Sequence, residues 1–418
     1  MKDRRSVSFH GPMFLGIVLA VAAVISVLAS REIQAAERVV KIGVLSPLSG
    51  PLASMGKYEL MGYELAVEDV NSSGGIRSMG GAKLRLVVAD TESKVEVGMA
   101  QVERLAGSDV AVIMGAFQSG VTIATTQVAE MKRVPYVVPL SVADEITERG
   151  FKYTFRACSS SKMAVARQAE FVYDYLSEFR PDVPIKTVAL LYENSAFGEA
   201  IARLQKEMIR RYGKKLVADM GYSAKTSDVS VEVARLKALA PDAVLRTGYA
   251  PDDLLVTRTM ISMRFSPKFW LGFSGVADLS YVQGLEGKYV EYTVFMDPFS
   301  PKVPGAVDVM GRFRRRNGVD MTAMPRSVYP VVWVVKDALE RAGSAEREKV
   351  RDALAKTKIM PGEKGNIMPY PMMFDEKGQN SEARYNALQY QGGSYKVVWP
   401  KEWAEAQLIW PWPRWEDR

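Results

Sequence analysis

The sequence predicts an α/β protein built as two doubly wound, Rossmann-like lobes. Two observations predict it. Short apolar, β-branched runs alternate with segments whose apolar residues recur every three or four positions, the pattern of a parallel sheet covered by helices on both faces. That alternation runs to about residue 157, restarts after an intervening helix, and runs again to about residue 275.

The opening unit, Val39 to Gly75, sets the pattern. Val39 to Leu45 reads as a buried strand and Ser46 to Ser54 as a Ser/Pro/Gly loop. A helix follows from Gly56, with Leu60, Tyr63, Val67 and Val70 on one face, and Asn71 to Gly75 stops it. Ligands of such folds sit at the carboxyl ends of the strands, which puts this loop at the functional edge. Further strands are expected at Leu84 to Ala89, Val110 to Met114, Val134 to Leu140 and Tyr153 to Ala157. Helices are expected between them, one from Gly120 to Met131. In the second round the strands are Thr187 to Tyr192, Leu216 to Tyr222, Ala243 to Arg246 and Lys268 to Phe273, each followed by a helical or Gly-containing segment. Tyr289 to Met296 reads as a strand leaving this lobe, and Pro298, Pro301 and Pro304 as a stiff connection to three helices between Val307 and Lys356. The tail reads as extended pieces, Ile367 to Phe374, Asn386 to Gln391 and Tyr395 to Trp399, separated by turn residues.

At 418 residues the chain is long enough for two cores, and 48% hydrophobic with 25% charged residues is globular usage. Lys2, Arg4 and Arg5, then the apolar Phe14 to Ala29, then Ala35-Ala36 form a secretory leader, residues 1–36, with cleavage after Ala35 or Ala36. A retained anchor is the rival reading, and the short apolar run argues against it. Arg4-Arg5 leaves general and twin-arginine export both open. The only Cys, Cys158, permits no internal disulfide and reads as a buried small apolar residue. The net charge is +7, of which the leader holds a surplus of two, leaving about +5 for the exported chain. The one dense basic run, Arg312, Arg314, Arg315 and Arg316, reads as a solvated helix end, and no nucleic-acid partner is expected.

The pieces IGVLSPLSGPLASMG, GYELAVEDVNSSGGI, VIMGAFQSG, VPYVVPLS, ALLYENSAFGEA, RTGYAPDD, GFSGVADLS and FDEKGQN, in that order through nearly the whole exported chain, resemble the Leu/Ile/Val-binding family of periplasmic solute-binding proteins. The resemblance implies the type I periplasmic-binding fold, a Venus-flytrap of two lobes joined by three crossings. Lobe 1 would be 37–157 and 298–364, and lobe 2 would be 158–297 and 365–418. It also implies the function: a monomeric, periplasmic component of an ABC transporter that captures a small solute between closing lobes and delivers it to the membrane permease.

Two positions in the expected cleft can be argued from the residues. Ser119-Gly120 and Ser141 each stand between a strand and a helix start, where free N–H groups, the helix dipole and a hydroxyl favour a carboxylate. Each alone also reads as a plain helix cap. Matched to the family, Ser119 falls on the carboxylate-binding Ser and Ser141 on a second carboxylate-facing position. The resemblance implies further contacts. Met55 replaces an aromatic of the first loop, Phe197 keeps the ring of a Tyr without its hydroxyl, Val142 replaces a Thr, and Tyr249 matches a ligand-contacting Tyr of lobe 2. Ser274 stands where amino-acid binders of the family carry a Glu that pairs with the ligand ammonium. Serine cannot neutralise that charge, and an unpaired buried ammonium is costly. With Met55, Phe117, Phe197 and Tyr249 as apolar walls, the expected ligand is a small organic acid or amide without a free α-ammonium, aromatic acids included. Asp278, four residues on, reads as a helix cap or a substitute acid. Arg246 and Arg326 read as surface or interlobe residues, or as extra carboxylate partners.

An enzyme is not expected. The single His, His10, lies in the leader, Cys158 lacks a partner, and no phosphate-binding glycine loop, metal cluster or cofactor site is apparent. A soluble ligand sensor of the same fold is the alternative to a transport component. A membrane receptor is not expected, because no apolar span follows the second lobe.

Overall fold

The computed structural model of the protein describes residues 38–411 and 413–417. The predicted leader and its cleavage site lie outside the described residues.

Two parallel-cored sheets organise the chain. The first holds β1 (Val39–Ser46), β2 (Lys83–Asp90), β3 (Val112–Met114), β4 (Tyr136–Val138) and β5 (Thr154–Arg156) in the order β2-β1-β3-β4-β5, every pair parallel. Its helices are α1 (Ala53–Ser72), α2 (Val95–Ala106), α3 (Ser119–Met131) and the short α4 (Glu145–Glu148). The chain then enters α5 (Ser161–Ala169), runs through one π-helical stretch, Glu170–Tyr175, and leaves by α6 (Leu176–Phe179).

The second sheet begins with β6 (Thr187–Glu193), α7 (Ala196–Arg211), β7 (Lys215–Tyr222), α8 (Ser230–Leu239), β8 (Ala243–Gly248), α9 (Ala250–Ser262) and β9 (Trp270–Ser274). The short helices α10 (Leu279–Gln283) and α11 (Gly287–Val290) lead to β10 (Val294–Asp297). These strands repeat the order of the first sheet as β7-β6-β8-β9-β10. The connections between neighbouring parallel strands run through helices, and the central strands β6, β8, β9 and β10 are largely buried, as a sheet covered on both faces requires, while the edge strand β7 exposes Lys215 and Asp219.

After β10 the chain returns to the first sheet. Helix α12 (Ala306–Asn317) and the long α13 (Ala323–Ala342) pack beside α1, and α14 (Arg347–Leu354) packs on α13. The basic run on α12 is not merely solvated. Arg312 pairs with Asp69, and Arg316 with Glu64 and Glu68, all three acids on α1. The expected extended piece at Ile367 to Phe374 reduces to β12 (Met372–Met373), paired antiparallel with β11 (Lys358–Ile359). The chain then supplies β13 (Asn386–Gln391) and β14 (Ser394–Trp399), which extend the second sheet antiparallel beyond β10.

Helix α1 begins at Ala53, three residues before the expected start. The Gly56 N–H already reaches the Leu52 carbonyl at 3.0 Å, so the opening loop is shorter than its Ser/Pro/Gly composition suggests. Cys158 is buried, as read from the sequence. Among the described residues no helix is long and apolar enough to cross a membrane.

Candidate functional site

The carboxyl ends of both sheets face one cleft of about 560 Å³, counted with its solvent-open mouth. From the first sheet come Phe117 and Ser119, after β3, and Leu140, Ser141 and Val142, after β4. Gly115 lets the β3 loop turn so sharply. Its φ is +128°, and a Cβ there would stand 2.2 Å from the Leu45 carbonyl oxygen, so only glycine fits. Ser119 then opens α3, a helix of 13 residues whose N-terminus carries unpaired N–H groups and the positive end of the dipole. The Ser119 hydroxyl accepts from the Ala143 N–H at 3.4 Å, which leaves its own proton free to donate.

Ser141 behaves differently. Its Oγ lies 2.7 Å from the Ala116 carbonyl, 3.0 Å from the Phe117 carbonyl and 2.6 Å from the Thr122 hydroxyl. The hydroxyl is turned inward and fastens the β3 loop, so Ser141 lines the cleft while its proton is directed to backbone.

From the second sheet come Phe197 at the start of α7, Tyr249 after β8, and Phe273 and Ser274 at the end of β9. The buried carboxylate of Glu193 holds the α7 entrance, accepting from the Ser195 N–H at 2.7 Å, the Ser195 hydroxyl at 2.7 Å and the Gly198 N–H at 2.9 Å. Burial pushes its pKa up, and these three donors oppose the rise. Tyr249 is fixed by its N–H on Asp252 at 3.0 Å and by Gly275, where a Cβ would stand 2.4 Å from the Tyr249 carbonyl carbon. Its phenol reaches across the cleft to the Ser119 backbone N–H and the Ser195 hydroxyl. Burial, then the negative charges of Glu193 and Asp252, push its pKa well above the ordinary value.

The rings form a continuous wall. Centroid separations are 5.7 Å for Phe117–Tyr249, 5.3 Å for Tyr249–Phe197, 5.9 Å for Phe197–Phe273 and 5.5 Å for Phe273–Tyr385. Each such pair contributes about 0.5–1.5 kcal/mol beyond the area it buries. Ser274 sits at φ +86°, ψ −74°, a conformation that costs a non-glycine residue about 1–3 kcal/mol, and backbone strain of this kind gathers at binding sites.

Seven of the expected positions, Phe117, Ser119, Ser141, Val142, Phe197, Tyr249 and Ser274, therefore meet in one cleft. Two are placed elsewhere. Met55 is fully buried in the core beneath the opening loop, and Gly120 turns toward Ala196 of α7, where a Cβ would be 3.8 Å from that methyl group.

The two arginines left open by the sequence are both buried. Arg246 forms an ion pair with Asp253 in which neither side chain is exposed, with Tyr222 3.3 Å from the guanidinium. Arg326, on α13, pairs with Asp297 at the end of β10, donates to the Met321 carbonyl at 3.2 Å and lies 4.2 Å over the Phe299 ring. Asp278 caps α10, accepting from the Ser280 N–H at 2.8 Å, and does not line the cleft.

Sequence reasoning missed the hinge-side wall: Met296, Asp297 and Pro298 at the second crossing, Ala323, Met324 and Ser327 on α13, and Tyr385 before β13. The usable signal was local. An acidic residue followed by proline at the end of an apolar strand is out of place unless it has a partner or a task. Among the described residues Asp297 is the one charged group lining the cleft, with its side chain about 1% exposed. Burial pushes its pKa up against the opposing pull of Arg326. Among the described residues no group of three or more His, Cys, Asp or Glu could hold a metal ion.

The profile of the family described as periplasmic binding protein matches residues 39–394. The Leu/Ile/Val-binding protein homolog 7 of Brucella melitensis is 29% identical over 409 residues, which cover 94% of this chain and 98% of the relative. Homolog 8 of Brucella suis is 27% identical over 409 residues, covering 95% and 98%. Among solved structures, the branched-chain amino acid transporter substrate-binding protein LivJ of Streptococcus pneumoniae, in complex with isoleucine, has a TM-score of 0.75 at 24% identity, covering 87% of this chain and all of that one. An ABC-transporter solute-binding protein of R. palustris in complex with benzoate has a TM-score of 0.75 at 17% identity, covering 86% and 95%. At these identities the solved structures establish the fold, that of the type I periplasmic binding proteins. With the family profile spanning both sheets, the chain belongs to the family of periplasmic binding proteins.

Proposed function

We propose that this protein is the periplasmic solute-binding component of an ABC importer. It is exported by a cleaved leader, acts as a monomer without turnover, captures a small organic acid, amino acid or amide between two closing lobes, and delivers it to the membrane permease. Lobe 1 is 37–157 with 298–364, and lobe 2 is 158–297 with 365–418. Membership of the two sheets supports that division.

The observation that carries the reading is the opposition of Ser119, at the start of α3, to Tyr249 of the second sheet across an aromatic-walled cleft. A carboxylate placed there meets the Ser119 hydroxyl, the phenol and the helix dipole. Relatives of the same fold hold isoleucine in one case and benzoate in another. With Ser274 in place of an acidic residue, this cleft favours an acid lacking a free α-ammonium.

Native mass spectrometry of the purified protein, before and after mild denaturation, weighs any solute carried through purification. Titration calorimetry against carboxylic acids, amides and amino acids then ranks them. Ser119→Ala is expected to weaken an acid ligand by roughly 1–3 kcal/mol through a lost charge-assisted hydrogen bond. Unchanged affinity removes Ser119 from the site. Tight leucine or valine binding with no acid binding overturns the ligand class.

A further inference from the structure

Besides Ser119, on the first sheet's side, the cleft is lined by a charged group from the second sheet. Asp297 closes β10 where the chain crosses between the sheets, lines the cleft, and has a side chain about 1% exposed. Only one of its oxygens is committed: Oδ2 meets the Arg326 guanidinium, and Oδ1 has no hydrogen-bond partner. A buried carboxylate oxygen left unmatched is costly, and Asp297 belongs to the cleft lining, so a ligand that settles there can supply the missing donor. The lining also includes the apolar walls Phe273, Met296, Met324 and Tyr385.

Charge decides what this oxygen can accept. Arg326 is about 6% exposed and already offsets the one negative charge of Asp297. Asp278, in the turn after β9, spends one oxygen on the Ser280 N–H and hydroxyl and stands outside the cleft lining. An ammonium entering here would leave a buried positive charge in excess. A hydroxyl or amide N–H would satisfy Oδ1 with no charge to neutralise.

Resting on the solute-binding reading above, we propose that Asp297, held by Arg326, is a specificity-determining residue that reads a neutral hydrogen-bond donor on the ligand. The ligand class is then an organic acid whose carboxylate lies at Ser119 and whose apolar body carries a hydroxyl or amide toward Asp297.

The test uses acids that share a skeleton. One set is benzoate, para-hydroxybenzoate, para-carbamoylbenzoate and the cationic para-(aminomethyl)benzoate; the other is hexanoate, 6-hydroxyhexanoate and the cationic 6-aminohexanoate. Calorimetric Kd values are measured for the full exported chain and for Asp297→Leu/Arg326→Met, which removes both charges together and spares the fold an orphaned guanidinium. Asp297→Asn is the second variant. Because the readout is a ratio of affinities within one protein, a partly destabilised variant still reports. In the wild type the neutral-donor member of at least one set binds about tenfold or more tighter than its unsubstituted partner, and the double variant brings that ratio to about one. A ratio near one in the wild type, a ratio that survives in the double variant, or tightest binding by an ammonium-bearing member overturns the proposal while leaving acid binding intact. Failure of every acid to bind overturns the solute-acid reading, and this proposal with it.

Discussion

Glu59 offers the sharpest test of how the opening unit is held. It lies on α1 and is fully buried. Its Oε2 is 2.7 Å from the Ser46 hydroxyl, which is itself 3.1 Å from the Gly56 carbonyl, and the Tyr63 hydroxyl donates to Oε1 at 3.3 Å. A protonated Glu59 satisfies the whole chain of bonds: it donates to Ser46, which donates to Gly56. Burial pushes its pKa up to about 8, against the opposing hydrogen bonds. The sign follows. Between the ordinary carboxylate value and about 8, the folded protein holds one proton that the unfolded chain has released, so this contribution to stability is full at acid pH and is lost as pH rises through that window. One proton corresponds to about 1.4 kcal/mol per pH unit, so two pH units inside the window amount to roughly 2–3 kcal/mol. Glu59→Gln keeps a donor toward Ser46 and does not titrate. Urea denaturation of both proteins at pH 5.5 and 7.5 measures the effect. The wild type is expected to lose roughly 2–3 kcal/mol more than Glu59→Gln over that interval. Other buried acids titrate in both proteins and cancel in the difference. Parallel losses would refute a proton held on Glu59.

Three further outcomes follow from the geometry. Asp253→Asn strands the fully buried Arg246 and should cost about 3–5 kcal/mol in urea unfolding, whereas Asp253→Leu with Arg246→Met should recover most of it; equal losses in both would show that the site tolerates no repacking. Ser274→Gly relieves the positive φ and should stabilise the protein by roughly 1 kcal/mol in thermal unfolding, so a lower melting temperature would mean that the Ser274 side chain contributes more than its backbone costs. Tyr249→Phe removes the phenol at the Ser119 N–H and should weaken an acid ligand by about 1 kcal/mol or more in calorimetry with the fold retained; unchanged affinity would take the phenol out of the site.

The sequence made the doubly wound order legible because apolar strands and amphipathic helices differ in period, and the period survives without any knowledge of neighbours. It also exposed Ser119, which follows a strand and opens a helix, whereas Phe197 and Tyr249 were indicated by the resemblance to the family. Asp297 and Tyr385 were not legible in the same way. Their place in the cleft depends on where the chain crosses between sheets, a property of tertiary packing with no local period. Arg246 misled for a related reason: a charge buried against one partner looks, in one dimension, like a charge on the surface. Ser141 shows the remaining gap. Its position was readable, but the direction of its hydroxyl depends on the carbonyls of Ala116 and Phe117, which only the folded loop brings within reach.

The interleaving of the chain has a consequence for its synthesis. The first sheet waits for α13, beginning at residue 323, to cover α1, and the second waits for residues 386–399 to cover the open side of β10. Neither half is finished when the ribosome has made the stretch that starts it, so a nascent chain carries an uncovered helix face and then a bare strand edge until nearly its last residues emerge. Such surfaces draw other strands and apolar segments.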